Sequence, residues 1–272
     1  MASEFVHLHN HSDYSLLDGA QTVQTLVNTI DDLGMDSVAL TEHGNMFSVI
    51  PYYKAAKKAG IKPIIGCETY VAVGSRFEKK PRADGGWGNN HLVLLAQNYK
   101  GYQNLMKLVT FGYLDGFYYR PRVDIDLLKE HNEGIICLSG CLKGEVTEKM
   151  LKDDWDGAKE AALRFAEIFE NRFYLEVQNH GIPDEAQNIQ NMKKLAGELN
   201  LPLVCTNDAH YAKHEHWEAH DVHICLGTGK DRDDPNRLRY ATPEFYFKTQ
   251  DQMYEMFKDV PNAIENTRKI AD

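Results

Sequence analysis

The sequence predicts an α/β barrel closed on itself, with its chemistry at the C-terminal ends of the strands. Three observations carry this. Strand and helix patterns alternate along most of the chain. Roughly seven such units fall within about 210 residues, which suits a closed barrel better than an open sheet. Histidines and carboxylates gather where the strand patterns end.

Taken in order, Phe5 to His9 reads as a strand. Thr22 to Leu33 is expected to be an amphipathic helix, with Val23, Leu26, Val27, Ile30 and Leu33 at helical spacing and Gly34 as its stop. Ser37 to Thr41 is a short buried strand, and Val49 to Ala59 a helix stopped by Gly60. Strands follow at Lys62 to Val73 and His91 to Gln97, then a helix to about Gly112. Gly134 to Ser139 is a strand, followed by helices to about Glu170. Arg172 to Gln178 is a strand, Asp184 to Leu199 a helix and Pro202 to Thr206 the last strand. Strands separated by helices are expected to run parallel. Gly74 to Asn90 is polar and Gly-rich (Asp84-Gly85-Gly86-Trp87-Gly88), and reads as a mobile loop near the site. Lys230 to Arg239 is charged with no apolar period. Two short amphipathic helices, Gln250 to Phe257 and Pro261 to Ala271, close the sequence as a cap or connector.

The bulk properties bound the function. A chain of 272 residues can bury a sizeable core as one large domain or two small ones. Lys and Arg total 30 against 40 Asp and Glu, a net charge of −10, which argues against a protein that coats nucleic acid electrostatically. It leaves room for a site that grips one strand end, because bound divalent cations invert the local charge. No apolar run is long enough to span a bilayer, and Met1-Ala2-Ser3-Glu4 does not start a signal peptide, so no membrane association and a cytoplasmic location are expected. The five cysteines (Cys67, Cys137, Cys141, Cys205 and Cys225) are odd in number and contain no CxxC, which speaks against a disulfide framework.

The strand ends hold the candidate chemistry. The first carries His9-Asn10-His11, with Asp18 seven residues on; the second Thr41-Glu42-His43-Gly44; the third Gly66-Cys67-Glu68; the last Thr206-Asn207-Asp208-Ala209-His210. On a strand, HxH and DxH each put both side chains on one face. Imidazole and carboxylate suit zinc, manganese or iron, and a shared carboxylate can bridge two ions.

These motifs resemble the PHP (polymerase and histidinol phosphatase) superfamily. His-Leu-His-Asn-His-Ser is similar to its first motif, Thr-Glu-His-Gly to its second and Thr-Asn-Asp-Ala-His to its last. The resemblance implies a distorted (β/α)7 TIM-like barrel with three divalent metal ions (zinc, manganese or iron) held by nine ligands. Carried over by position, these are His9, His11, Asp18, His43, Glu68 as the bridging carboxylate, His91, Cys141, Asp208 and His210. His91 stands at the start of its expected strand, the wrong end for a ligand in a parallel barrel. Gly116-Phe117-Tyr118-Tyr119-Arg120-Pro121-Arg122-Val123-Asp124, Phe245-Tyr246-Phe247-Lys248 and the segment from Met253 to Thr267 resemble bacterial DNA polymerase III alpha subunits. The resemblance covers 1–272 as one PHP domain, a barrel over 1–240 and a helical segment over 241–272. The resemblance stops where the family's palm domain would begin, so the palm carboxylates, and polymerisation with them, are not expected of these residues.

The remaining candidates have plainer readings. His7 lies on the face of His9 and His11 and is expected to be structural. His214, His216, His220 and His223 fall in one helix; the i,i+4 pair His216 and His220 could hold zinc, but a solvated helix face is expected. His131 and His180 are expected in exposed loops. Arg120 and Arg122 either hold a phosphate or pair with acids on the barrel rim. Lys79-Lys80-Pro81-Arg82 either touches a DNA backbone or is solvated.

The resemblance implies metal-dependent phosphoester hydrolysis, specifically 3′→5′ exonuclease proofreading on a DNA 3′ end, with Glu68, Asp208 and His210 as the catalytic set. His210, His11 or a water would protonate the leaving oxygen. Partners would be the remaining polymerase domains and replisome subunits. A second reading is a non-catalytic, metal-stabilised domain for structure and subunit docking. A third is a stand-alone phosphomonoesterase of the histidinol-phosphatase type, which the polymerase-like segments disfavour.

Overall fold

The computed structural model describes residues 4–81 and 88–272. Its strands are β1 (Ser37–Leu40), β2 (Lys62–Ala72), β3 (Asn89–Ala96), β4 (Arg122–Val123), β5 (Ile135–Leu138), β6 (Phe173–Val177) and β7 (Leu203–Cys205). They form one sheet in the order β1-β2-β3-β5-β6-β7, with β4 added beside β2. The opening segment closes the ring. His7 bridges to Val38 of β1, and Asn10 bridges to Ala209 just past β7. The barrel predicted from sequence is therefore present, although residues 5–9 contribute as bridges around a bend at His9 rather than as a regular strand.

The expectation of parallel strands throughout needs correction. β3 runs antiparallel to both β2 and β5. The cause is the connection: no described helix lies between β2 and β3, so the chain turns back instead of crossing over. This reversal puts the start of β3, and His91 with it, at the end of the barrel where the parallel strands finish. Tyr70 pairs with His91 and Glu68 with Val93, so His91 and Glu68 are diagonal neighbours on one face.

The helices cover the outside. α1 (Val23–Asp32) is capped by the Thr22 side chain on the Thr25 amide, and buries Val23, Leu26, Val27 and Ile30. α2 (Val49–Ala59) stops at Gly60, whose φ of +77° is the left-handed conformation that glycine adopts without a Cβ penalty. α3 (Tyr99–Leu114), α4 (Ile125–Glu130), α5 (Glu145–Leu151), α6 (Trp155–Phe169) and α7 (Pro183–Leu199) follow, with Pro183 opening α7. α8 (Trp217–Thr228) lies beyond the last strand. α9 (Gln250–Met256) starts with a Thr249/Gln252 capping box, and α10 (Pro261–Ala271) packs on β7. Ile270 and Ala271 of α10 pack with Val6, Leu8, Ile64, Leu95 and Val204 in an apolar cluster distinct from the main helix-covered core. All five cysteines are free thiols. No described helix is long and apolar enough to cross a membrane.

Candidate metal centre

Nine side chains named from sequence meet at one end of the barrel. Glu68, on β2, is their hub. Its Oε1 lies 2.7 Å from His91 Nδ1, 3.5 Å from His9 Nε2 and 3.9 Å from Cys141 Sγ. Its Oε2 lies 2.5 Å from His43 Nδ1 and 3.7 Å from His11 Nε2. The two oxygens thus face two different sets of donors. Asp208 Oδ1 lies 3.1 Å from His11 Nε2 and 3.4 Å from His9 Nε2. Asp18 Oδ1 lies 3.1 Å from His43 Nε2, and Asp18 Oδ2 lies 3.9 Å from His210 Nε2.

Three of the histidines are oriented by a bond at the far ring nitrogen. His9 Nδ1 meets Glu176 Oε1 at 2.8 Å, His11 Nδ1 meets Ser15 Oγ at 2.8 Å, and His210 Nδ1 meets the Asp208 carbonyl at 2.7 Å. Each bond leaves Nε2 aimed into the centre, the arrangement that metal-binding imidazoles use. Ser15 in turn donates to Glu42, which also takes the Ser12 hydroxyl and amide. Burial raises the Glu42 pKa, against the lowering effect of those serine bonds. Asp208 sits at φ +44°, a left-handed conformation that costs an L-residue roughly 1 kcal/mol, so the fold holds this carboxylate in place against local preference.

The donor set fits divalent cations. His9 Nε2, His11 Nε2, His43 Nδ1, Asp18 Oδ1, Glu68 Oε2 and Asp208 Oδ1 are all buried without a hydrogen bond of acceptable geometry. Orphaned polar atoms of this kind are rare, and cost roughly 1–3 kcal/mol each when nothing satisfies them. Three sets have donor atoms within 4.8 Å of one another: His11, His43 and His210; His9, His11 and Asp208; Glu68, His91 and Cys141. Electrostatics points the same way. Burial opposes charge on Glu68, yet His91, His43 and His9 hold its pKa well below the usual carboxylate range. Asp208 is likewise held down, against burial, by His9, His210 and His11. Burial and the neighbouring His43 and His210 push His11 down to about 3, so its imidazole is neutral.

Glu176, on β6, is the functional side chain that sequence reasoning missed. It is fully buried and accepts from His9, the Gly140 amide and the Thr206 hydroxyl. The signal was present, since an acid in the apolar strand Phe173–Val177 has no reason to be buried without a partner. Tyr240 was also missed. Its hydroxyl lies 2.9 Å from His210 Nε2 and 3.3 Å from Asp18 Oδ2.

Several plainer readings are corrected. His180 is buried, not exposed: it bonds Glu185 at 2.6 Å and the Asn207 carbonyl at 2.8 Å, and stacks on Phe245. His131 is buried against Phe111. His220 leaves the solvated face expected of its helix and bonds the Asp18 carbonyl at 2.8 Å, supporting the loop that carries Asp18. His216 and His220 join none of the metal-compatible groups among the described residues. His7 does not share the face of His9 and His11; its Nε2 bonds the Lys248 carbonyl, and its ring lies edge-on to Phe5 and Phe247. Arg122 makes no ion pair with an acid among the described residues. It is buried and donates to the carbonyls of Gly116, Arg76 and Glu78. Lys79 and Lys80 are exposed; Arg82 and the glycine-rich stretch through Trp87 lie outside the described residues.

Residues 7–180 match the PHP domain family. The chain is 48% identical to the DNA polymerase III subunit alpha of Borreliella burgdorferi, over 99% of this chain and 24% of that one. It is 41% identical to the DNA polymerase III subunit alpha of Thermus aquaticus, over 98% of this chain and 22% of that one. It thus spans about a quarter of the length of these curated relatives. Among solved structures, an amidohydrolase from Chromobacterium violaceum is similar over 75% of this chain and 87% of its own, at 14% identity and a TM-score of 0.44.

Proposed function

The chain belongs to the PHP domain family, and from that premise we propose that its centre is a metal-dependent phosphodiesterase, acting as a 3′→5′ exonuclease on a DNA 3′ end. One observation carries the metal reading: Glu68 turns its two oxygens to two different sets of donors, as a carboxylate shared between two ions must. The DNA substrate is supported by relatives named as subunits of a DNA polymerase. In this reading His9, His11 and Asp208 would hold one ion and Glu68, His91 and Cys141 a second, and His43 and His210, with Asp18 beside them, would hold a third.

Bound divalent ions would supply Lewis-acid polarisation of the phosphoryl oxygen and a water acidic enough to attack at neutral pH. The chain supplies the rest. Glu176, Ser15 and the Asp208 carbonyl fix which nitrogen of each histidine faces the centre. Buried carboxylates kept ionised at neutral pH supply the negative charge that draws cations in. No protein nucleophile is required. Tyr240, whose hydroxyl lies 2.9 Å from His210 Nε2, could give a leaving oxygen a hydrogen bond.

The test is elemental analysis of freshly purified protein with a parallel assay of 3′-end degradation on single-stranded DNA. About three ions per chain and metal-dependent loss of 3′ nucleotides are expected. Bound metal with no hydrolysis in zinc, manganese or iron would move the scaffold reading ahead. Hydrolysis of small phosphomonoesters alone would favour the histidinol-phosphatase type.

A further inference from the structure

We infer that an aromatic ledge formed by Phe47, Tyr113, Phe117, Tyr119 and Arg120 is a stacking platform for single-stranded nucleic acid leading into the centre; this rests on the phosphodiester reading above. The ledge meets the site at Arg120, through Tyr70. The Tyr70 ring lies 5.2 Å from that of His91 and 6.4 Å from that of His43, and the Arg120 guanidinium lies 5.7 Å from the Tyr70 centroid. Beside Arg120, the rings of Tyr119 and Tyr118 are 4.7 Å apart. At the end of α3, Tyr113 lies 6.1 Å from Phe47 and 6.2 Å from Phe117.

These rings are open to solvent: Phe47 is 57% exposed, Phe117 47% and Tyr119 61%. Scattered exposed aromatics need no explanation, but two groups of open rings carried by one short segment, residues 113–120, whose Arg120 reaches the site through Tyr70, do. Tyr119 has φ +58°, a left-handed conformation unfavourable for a bulky residue, so the fold presents this ring at a local cost. The turn is anchored rather than loose. The buried Arg122 guanidinium ties Gly116 to Arg76 and Glu78, and a Cβ on Gly116 would fall 1.8 Å from the Arg122 carbonyl. A fixed ledge loses little entropy when a ligand settles on it.

The chemistry selects the occupant. Aromatic faces take bases of any sequence, and a guanidinium takes the phosphate between them. Among the described residues the Arg120 guanidinium lies over the Tyr70 ring and makes no ion pair, although acids outnumber bases by 40 to 30 in the chain. An unpaired cation between open rings and a cluster of buried carboxylates and histidines suits a polyanion with π-faces better than an apolar protein surface.

The test measures binding of a short fluorescein-labelled oligothymidylate with phosphorothioate 3′ linkages, which resist cleavage, by anisotropy on the metal-supplemented chain. Tyr113→Ala, Phe117→Ala and Arg120→Gln are expected to weaken binding roughly 10- to 100-fold each. The two ring variants, Tyr113→Ala and Phe117→Ala, are expected to leave hydrolysis of a small chromogenic phosphodiester unchanged. A strand of the same length lacking bases should bind the wild type as weakly as the normal strand binds the ring variants. Oligonucleotide binding that is absent, unaltered in the variants or indifferent to the loss of bases overturns the proposal. So does a dimer in light scattering that the ring substitutions dissolve while oligonucleotide binding persists. If the wild type binds through the ledge but cleaves no phosphodiester, the platform stands and the catalytic reading fails.

Discussion

Glu176 Oε1 lies 2.8 Å from His9 Nδ1, and this one bond determines which nitrogen of His9 faces the centre. Both residues are fully buried. Burial works against a charge on His9, but Asp208, Glu176 and Glu68 together raise its pKa well above the usual value. Outer carboxylates of this kind typically change metal affinity 10- to 100-fold. Glu176→Ala should therefore weaken binding of the His9 ion by about that factor, read by competition with a chromogenic chelator. Glu176→Gln, which can still accept from Nδ1, should lose less. Equal affinity in all three proteins would mean that His9 needs no such partner.

Removing metal should destabilise the barrel. The ligands come from the opening segment, β2, β3 and the ends of β1, β5 and β7, so binding favours the folded state over the unfolded chain. At a free concentration a thousandfold above Kd, one ion adds roughly 4 kcal/mol, and for a chain of this size that shifts Tm by about 10 °C. Calorimetry of metal-loaded and chelated protein checks this. An unchanged melt, with metal verified absent, would show that the barrel closes without it.

The ligand cluster was legible because its motifs sit at strand ends, and because the resemblance supplied positions that spacing alone does not. Asp18 is the clearest case, since it lies in a loop with no periodic signal. His91 was ambiguous for a physical reason: a strand's start is the wrong end only if the strand is parallel, and strand direction depends on the connection, which residue patterns do not reveal. Glu176 and Tyr240 were missed because each acts through a partner distant in sequence. His131, His180 and His220 were misread because a polar residue in a loop or on a helix looks solvated until the element that covers it is known; Phe245 covers His180 and Phe111 covers His131. The charged run from Lys230 to Arg239 likewise gave no hint that Arg237 is buried.

That buried arginine gives a pH-dependent prediction. Arg237 Nη1 and Nη2 each lie 2.7 Å from an oxygen of Asp221, tying residues 230–240 to α8. The Arg237 bond, with Arg239 and Arg232 nearby, holds the Asp221 pKa below its ordinary value. A carboxylate with a depressed folded pKa stabilises above its unfolded pKa, and that contribution is lost as pH falls through the folded value. Asp221→Asn should thus cost about 2 kcal/mol at neutral pH. The gap from wild type should stay constant from pH 7 to about 5 and close below about pH 4, the unfolded value for Asp. Denaturant melts across that range measure it, and a gap that widened toward acid would contradict the assignment.

Glu68 carries the sharpest prediction for activity. Its oxygens touch both donor sets, so its loss should disturb two ions at once, whereas loss of a terminal ligand should disturb one. Glu68→Ala and Asp208→Ala should each lower 3′-end degradation by two or more orders of magnitude. Glu68→Gln is the informative companion. It keeps the shape but removes the charge, so it should fold and still fail to share two ions. His216→Ala, on the partly exposed turn before α8, should leave the rate almost unchanged. Circular dichroism of every variant separates lost chemistry from lost structure. Hydrolysis that persists in a folded Glu68→Gln protein, with metal content unchanged, would place the reaction at another centre.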